Sequence, residues 1–130
     1  MADDYPGAAL KHLSDSRTLL AVKRYDNAGY LAGYVVECVV KSVILVEGGV
    51  AHQSHLNALT PEALRLIGLP GQRTAKYISN PRFTSLTGWH PGLRYTAAGT
   101  VGAADASAWV GEALRLYREV IAAMKLDGVL

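Results

Sequence analysis

The longest apolar stretch of the chain runs from Tyr25 to Gly48 and carries one polar stripe. Residues three or four positions apart share one face of a helix. The main polar side chains of the stretch follow that spacing: Tyr30, Tyr34, Glu37 and Lys41. Most positions between them hold small or aliphatic residues, so the stretch predicts a long helix packed on most of its surface. Gly29 and Gly33, four residues apart on this helix, indicate close packing.

Glu37 and Lys41 are the charged residues in the middle of this helix. A carboxylate or an ammonium in apolar surroundings is costly unless it is paired. Glu37 lies four residues before Lys41, which is the favourable orientation for an ion pair within a helix. We therefore expect Glu37 to be more than half buried and bonded to a cation or a tyrosine, with Lys41 or Arg94 as its partner. The pair is either a packing device inside a helical bundle or part of a functional site.

The size of the chain, 130 residues, predicts a single domain over residues 1–130. Half of the residues are hydrophobic and 18% are charged, which favours a sizeable core over disorder. The stretch from Ala28 to Val46 is long enough to span a bilayer. Glu37 and Lys41 near its middle would each cost about 2.5–3.5 kcal/mol there, so no membrane association is expected.

The single cysteine, Cys38, lies in the middle of the predicted helix. It cannot form an internal disulfide, which fits a reducing cytosol, and we interpret it as a buried, inert thiol. The sequence Met-Ala-Asp-Asp-Tyr-Pro at the start is acidic and lacks the basic region of a signal peptide. These features predict a cytoplasmic protein.

Three long helices are predicted from apolar residues at helical spacing. The first runs from about Pro6 to Lys23, the second from Tyr25 to Glu47 and the last from about Ala103 to Lys125. The short link between the first two predicts an antiparallel hairpin. Asp26 or Asn27 is expected to cap the second helix.

The middle of the chain is broken into short pieces. Thr60-Pro61-Glu62 predicts the start of a brief helix, with Thr60 as its cap, that ends near Gly68. Another short helix is expected over Gln72 to Ile78. From Asn80 to about Gly102 the chain is rich in Gly, Pro and Thr, which indicates an irregular segment. The fold class is all-α, with three long helices and one or two short ones.

Two histidines, His52 and His55, suggest a metal site, since they are three residues apart. No cysteine or acidic residue stands near enough to complete a zinc-type set, so neither a metal nor another cofactor is expected. The alternative is that His55 opens a short segment that lays Leu56 and Leu59 on the core. No Gly-x-Ser-x-Gly elbow and no glycine-rich phosphate loop occurs in the sequence.

A basic segment extends from Ala63 to Ala104, where there is no acidic residue. Its five cations are Arg65, Arg73, Lys76, Arg82 and Arg94. Its larger aromatic residues are Tyr77, Phe83, Trp89 and Tyr95. Attraction of phosphate and stacking of bases are how proteins hold nucleotides and single-stranded nucleic acid. The alternative interpretation is that the aromatic residues anchor the segment and the cations are only solvated.

Several runs of the sequence resemble the HEPN superfamily of prokaryotic helical domains. The main run is Gly33-Tyr34-Val35-Val36-Glu37-Cys38-Val39-Val40-Lys41, preceded by Arg24-Tyr25-Asp26-Asn27-Ala28. The resemblance continues in His55-Leu56 with Leu59, in Trp89 followed by Leu93-Arg94-Tyr95, and in the Ala-rich start of the last helix. It covers nearly the whole chain.

The resemblance implies an up-and-down bundle of four or five helices that is commonly a homodimer. Many members of the superfamily act beside a small nucleotidyltransferase in toxin–antitoxin or defence operons, and others are metal-independent endoribonucleases. The ribonuclease members carry an Arg-x(4–6)-His motif near the last long helix. This chain departs from that motif: the nearest spacing is Arg82 with His90, which have seven residues between them.

Three hypotheses follow. The first is a non-catalytic domain that binds a nucleotide, single-stranded RNA or a partner protein through Tyr34, Glu37, Lys41, Trp89, Arg94 and Tyr95. The second is an endoribonuclease with an atypical site formed by His90, Arg82 and Arg94, in which His90 supplies general acid–base chemistry. The third is a dimeric scaffold whose polar cluster only orients helices.

Overall fold

The computed structural model describes residues 3–51, 55–79 and 86–130, and within these ranges every regular element is helical. The helices are α1 (Tyr5–Ala21), α2 (Tyr25–Val46), α3 (Leu56–Ile67), α4 (Ala103–Leu116) and α5 (Ala123–Leu126). A π-helical turn, Tyr117–Ala122, joins α4 to α5 without a break, so the two form one long helix. Short 3-10 turns lie at Ala75–Tyr77 and Pro91–Tyr95. The predicted all-α bundle is confirmed.

The first two helices form the predicted antiparallel hairpin. Their short link turns at Lys23, whose φ of 64° lies in the left-handed region. Tyr5 at the start of α1 lies against Lys41 late in α2, and His12 lies against Tyr34. Since residues further along α1 meet residues earlier in α2, the two helices run in opposite directions.

Helix α2 is the centre of the bundle and packs against α1, α3 and α4. Its valines at 35, 36, 39, 40 and 43 are fully buried. By length and composition α2 could cross a membrane, but 72% of its most apolar window is buried inside the fold. The buried core helix of a soluble protein meets the same criteria of length and composition.

Asp26 does not cap α2, so that prediction was wrong. The cap position is Arg24, which makes no capping hydrogen bond with its side chain. Asp26 is the second residue of α2. Its carboxylate accepts hydrogen bonds from Gly99 N (2.8 Å) and Val101 N (2.9 Å). The carboxylate therefore anchors the segment before α4 to the start of α2, because those backbone N–H groups come within its reach.

Helix α3 starts earlier than the Thr60-Pro61 signal predicted. It begins at Leu56, places Pro61 in its interior, and lets the Thr60 hydroxyl donate to the Leu56 carbonyl at 3.2 Å. Leu56 and Leu59 are 1% and 2% exposed, which confirms that the segment opened by His55 lays both leucines on the core. Burial of this apolar face outweighs the helix-breaking tendency of the proline.

The predicted short helix over Gln72–Ile78 is only a 3-10 turn at Ala75–Tyr77. The irregular segment before α4 is confirmed over residues 86–102, where its one regular piece is the second 3-10 turn, Pro91–Tyr95. This second turn lies against α2 and brings its basic and aromatic side chains beside the polar stripe of that helix.

Candidate ligand-binding site

Tyr30 and Tyr34 of α2 and Trp89 form an aromatic cluster. The two tyrosine hydroxyl oxygens are 2.7 Å apart. The Trp89 ring stacks on Tyr30 with centroids 6.3 Å apart and meets Tyr34 edge-on at 5.8 Å. Its indole N–H donates to the Tyr30 carbonyl at 3.2 Å. Trp89 is only 7% exposed, so it holds the cluster from within rather than offering a face to a ligand.

The glycines of α2 make room for two indole rings. A Cβ at Gly33 would lie 1.8 Å from Cε2 of Trp89, and one at Gly29 would lie 2.8 Å from Cε3 of Trp109. The predicted close packing is therefore present, and its partners are tryptophan side chains. Gly33 in particular allows the chain around Trp89 to lie directly on α2.

Glu37 is the buried centre of the polar stripe. It is 6% exposed, and its Oε2 lies 3.5 Å from Nζ of Lys41, which is 7% exposed. Its Oε1 lies 3.2 Å from Nδ1 of His55. The expected burial and the pairing with Lys41 are confirmed. Arg94 is not the partner of Glu37; its guanidinium interacts instead with Tyr30 and Tyr95.

His55 joins this buried carboxylate to the surface. Its side chain is 51% exposed, and its ring meets Tyr34 edge-on with centroids 6.3 Å apart. Nδ1 faces Glu37, while Nε2 has no hydrogen-bond partner among the described residues. A carboxylate that fixes one imidazole nitrogen orients the ring and leaves the other nitrogen for a ligand or a proton transfer.

His12 of α1 lies beside Tyr34, as His55 does. The two ring centroids are 6.0 Å apart. Burial, followed by the positive charge of Lys11, lowers the pKa of His12, so this imidazole is neutral at pH 7. Burial and the hydrogen bond with Tyr30 raise the pKa of Tyr34, so its hydroxyl stays protonated. Tyr34 thus lies between two imidazoles.

Helical spacing in the sequence indicates that His12 lies on the face of α1 that meets Tyr34. Tyr5 and His12 are seven residues apart on α1, as are Tyr34 and Lys41 on α2. Residues at that spacing share a helix face. Two such pairs on antiparallel neighbours predict one shared polar face. The contact between His55 and Glu37 joins residues 18 positions apart, and no local pattern predicts it.

Arg94 and Tyr95 end the second 3-10 turn. The Arg94 guanidinium carbon lies 4.8 Å from the centroid of the Tyr95 ring, which is 80% exposed. The hydroxyls of Tyr95 and then Tyr30 raise the pKa of Arg94. None of the carboxylates in the described ranges forms an ion pair with Arg94. An exposed ring and an unneutralised cation therefore stand together at this edge of α2.

Cys38 lies beside this cluster and is 7% exposed. Burial, followed by the charge of Glu37, raises the pKa of its thiol to about 11. The thiol is therefore un-ionised at physiological pH and supplies no nucleophile. In the ranges that the structure covers, no group of three or more His, Cys, Asp or Glu side chains could hold a metal ion.

Other predicted site residues do not join the cluster. Arg82 of the suggested ribonuclease site lies outside the described residues, as do Phe83 and His52. His90 precedes the second 3-10 turn and is exposed, and it makes no side-chain hydrogen bond within the described part of the chain. Arg65 pairs with Glu62 on α3. The cations of the basic segment therefore do not all face one ligand.

No protein-family model, no curated protein and no solved structure gives a significant match to this chain.

Proposed function

We propose that this protein is a HEPN-like helical domain that binds a phosphate-bearing ligand, a nucleotide or single-stranded RNA, at the edge of α2. The observation that carries the proposal is the pair formed by Arg94 and Tyr95. Tyr95 is 80% exposed, and the guanidinium against it has no carboxylate partner among the described residues. An exposed ring stacks on a base, and an unneutralised cation attracts phosphate.

The neighbouring residues divide into two groups by exposure. Tyr34 and His55 are accessible enough to contact a ligand, and each carries a polar atom for hydrogen bonds to a ribose or a base. Glu37, Lys41 and Trp89 are each less than 10% exposed, so they position these side chains instead of touching the ligand.

The assignment to the HEPN superfamily rests on the motif around Glu37 and Lys41. It leads us to propose a cytoplasmic homodimer that acts beside a small nucleotidyltransferase in a toxin–antitoxin or defence system. Exposed apolar side chains offer area for a second copy, among them Leu10 (45%), Leu45 (47%) and Val50 (66%). Sedimentation at micromolar concentration should give twice the monomer mass of 13.9 kDa, and a monomer would remove this part of the proposal.

The binding proposal is tested with a short fluorescent oligouridylate at several salt concentrations. The logarithm of the binding constant should fall linearly with the logarithm of the salt concentration. Arg94→Gln should weaken binding and reduce that slope by about 0.7, the value for one phosphate contact on a single strand. Arg118→Gln removes the same charge from an exposed position of the last helix and should leave both quantities unchanged.

A second candidate function, an endoribonuclease, is favoured by the pair formed by Glu37 and His55. An imidazole oriented by a carboxylate can take a proton from a ribose hydroxyl, and the leaving oxygen then takes its proton from solvent. This arrangement differs from the one predicted with His90 and Arg82. The contact at 3.2 Å between Glu37 and His55 is the specific observation behind it.

Incubation of labelled RNA in the presence of EDTA separates the candidates. Binding without cleavage supports the non-catalytic domain. Cleavage that is lost in His55→Gln supports the pair with Glu37, whereas cleavage lost only in His90→Ala supports the arrangement predicted from the sequence. If the protein neither binds nor cleaves the RNA, the dimeric scaffold is the remaining hypothesis.

A further inference from the structure

A second basic feature lies at the other end of α2, away from Arg94 and Tyr95. A cavity of about 320 Å³ is lined by Gln72, Arg73, Lys76 and Val129. Gln72, Arg73 and Lys76 come from the segment that contains the first 3-10 turn, and Val129 follows α5. Its volume lies at the lower end of the range for small-molecule sites. The cavity is thus large enough for a small organic ligand.

The two cations of this cavity are not neutralised. Neither Arg73 nor Lys76 forms an ion pair with any residue that the structure describes. The Lys76 ammonium lies 5.2 Å from the centroid of the Tyr77 ring. Two cations that face one cavity attract an anion, and a dianion most strongly.

The nearby carboxylates already have partners. Glu47, just after α2, accepts hydrogen bonds from Arg73 N (2.8 Å), Thr74 N (3.2 Å) and the Thr74 hydroxyl (2.7 Å). Asp127, after α5, accepts one from the Tyr77 hydroxyl at 2.6 Å. These bonds hold the segment in place, and neither carboxylate forms an ion pair with Arg73 or Lys76.

The walls of the cavity are fixed from several directions. Gln72 Oε1 accepts a hydrogen bond from Ala75 N at 2.8 Å, which leaves the amide NH₂ of Gln72 as a donor. The backbone of Val129 is held by a hydrogen bond from its N–H to the Met124 carbonyl at 2.8 Å. A binding site whose walls are held before the ligand arrives loses less conformational entropy on binding.

We propose that this cavity binds the phosphate group of a small organic phosphate through Arg73 and Lys76, with the Gln72 amide as a further donor. This site is separate from the one proposed at Arg94 and Tyr95, and it has no exposed aromatic ring for a base to stack on. A smaller cavity of about 150 Å³ shares Gln72 and Arg73 with it and is lined also by Glu47 and by the aliphatic side chains of Val46, Leu66 and Leu69. Those aliphatic walls suit a small apolar part of the ligand.

The test is a titration of the isotope-labelled protein with inorganic pyrophosphate, followed by amide NMR shifts at constant ionic strength. Pyrophosphate has no base, so it does not report on stacking at Tyr95. We expect saturable shifts at Arg73, Thr74, Lys76 and Val129. The variant Arg73→Gln/Lys76→Gln should lose at least tenfold in the affinity measured from these shifts.

A matched control is Arg17→Gln/Lys23→Gln, which removes the same charge from exposed positions at the opposite end of α2 and should keep the wild-type affinity. The proposal is overturned if the shifts at the four residues are absent or do not saturate. It is also overturned if the control variant loses as much affinity as Arg73→Gln/Lys76→Gln, because binding would then reflect net charge alone.

Discussion

Nδ1 of His55 lies 3.2 Å from Oε1 of Glu37, which joins an imidazole at the start of α3 to a carboxylate buried in the middle of α2. The other oxygen of Glu37 lies 3.5 Å from the Lys41 ammonium. One carboxylate therefore balances a buried cation and orients a half-exposed histidine. This double role connects the stability of the bundle with the geometry of the candidate site.

Glu37→Gln should destabilise the protein, because it leaves the 7%-exposed Lys41 ammonium without a counter-charge. We expect the free energy of unfolding to fall by about 3–5 kcal/mol, the range for removing one partner of a buried ion pair. Denaturation by urea measures this. The control is Glu112→Gln, which breaks a partly exposed pair with Arg115 and should cost less than about 1 kcal/mol.

The double variant Glu37→Gln/Lys41→Met separates pairing from packing. Methionine fills a similar volume without a charge, so most of the loss in Glu37→Gln should be recovered. A double variant no more stable than the single one would show that the unpaired ammonium is not the cause.

Gly33→Ala should displace Trp89, because the added Cβ would lie 1.8 Å from the indole ring. We expect a loss of about 3 kcal/mol or more in the free energy of unfolding and a red shift of tryptophan emission as the ring meets water. Gly111→Ala is the matched control, since a Cβ there meets nothing within 4 Å. It should stabilise α4 by about 0.5–1 kcal/mol. Equal effects of the two substitutions would contradict the packing described for Trp89.

Asp26→Ala should release the segment before α4 from α2. The backbone N–H groups of Gly99 and then Val101 lower the pKa of Asp26 below its ordinary value of 3.8. Its contribution is therefore present above about pH 4 and is lost as the pH falls through the lower pKa of the folded state. We expect a cost of about 1 kcal/mol at pH 7, since solvent reaches this carboxylate.

Thermal unfolding of wild type and Asp26→Ala between pH 7 and pH 2 measures this contribution. The difference in stability between wild type and Asp26→Ala should disappear as the pH approaches 2. A difference that stays constant over the whole range would mean that the charge of Asp26 does not act through these hydrogen bonds.

Cys38 should be unreactive in the native protein. With a pKa of about 11, about one thiol in a thousand is ionised at pH 8, and the side chain is 7% exposed. Iodoacetamide should therefore modify it only after unfolding in guanidinium chloride, as read by mass spectrometry. Rapid alkylation of the native protein would contradict the burial of this thiol.

The parts of the fold that the sequence predicted are those that local spacing determines. The pairing of Glu37 with Lys41 follows from their spacing of four residues within one helix. The hairpin of α1 with α2 follows from the apolar periodicity of each helix and the short link between them. The start of α3 was missed, because burial of Leu56 and Leu59 prevailed over the local signal at Thr60 and Pro61.

The site was predicted less completely than the fold. Glu37, Arg94 and Tyr95 stood out as charged or aromatic residues in informative surroundings. His55 was considered as a metal ligand with His52 or as the start of a segment. Its contact with Glu37 was missed, since that contact depends on how the chain after α2 returns to that helix. The prediction that Asp26 caps α2 was wrong for the same reason. Its partners, Gly99 and Val101, are more than 70 positions away in the sequence.

The affinity of Tyr95→Ala for single-stranded RNA tests the proposed function most directly. Tyr95 is 80% exposed and supports no part of the core, so its loss should leave the fold intact. Stacking of one base contributes about 1–3 kcal/mol, so fluorescence anisotropy should show binding to labelled oligouridylate weakened about five- to 150-fold, with Tyr95→Trp close to wild type. Wild-type affinity in Tyr95→Ala would contradict the proposal that this ring and Arg94 form the ligand-binding surface.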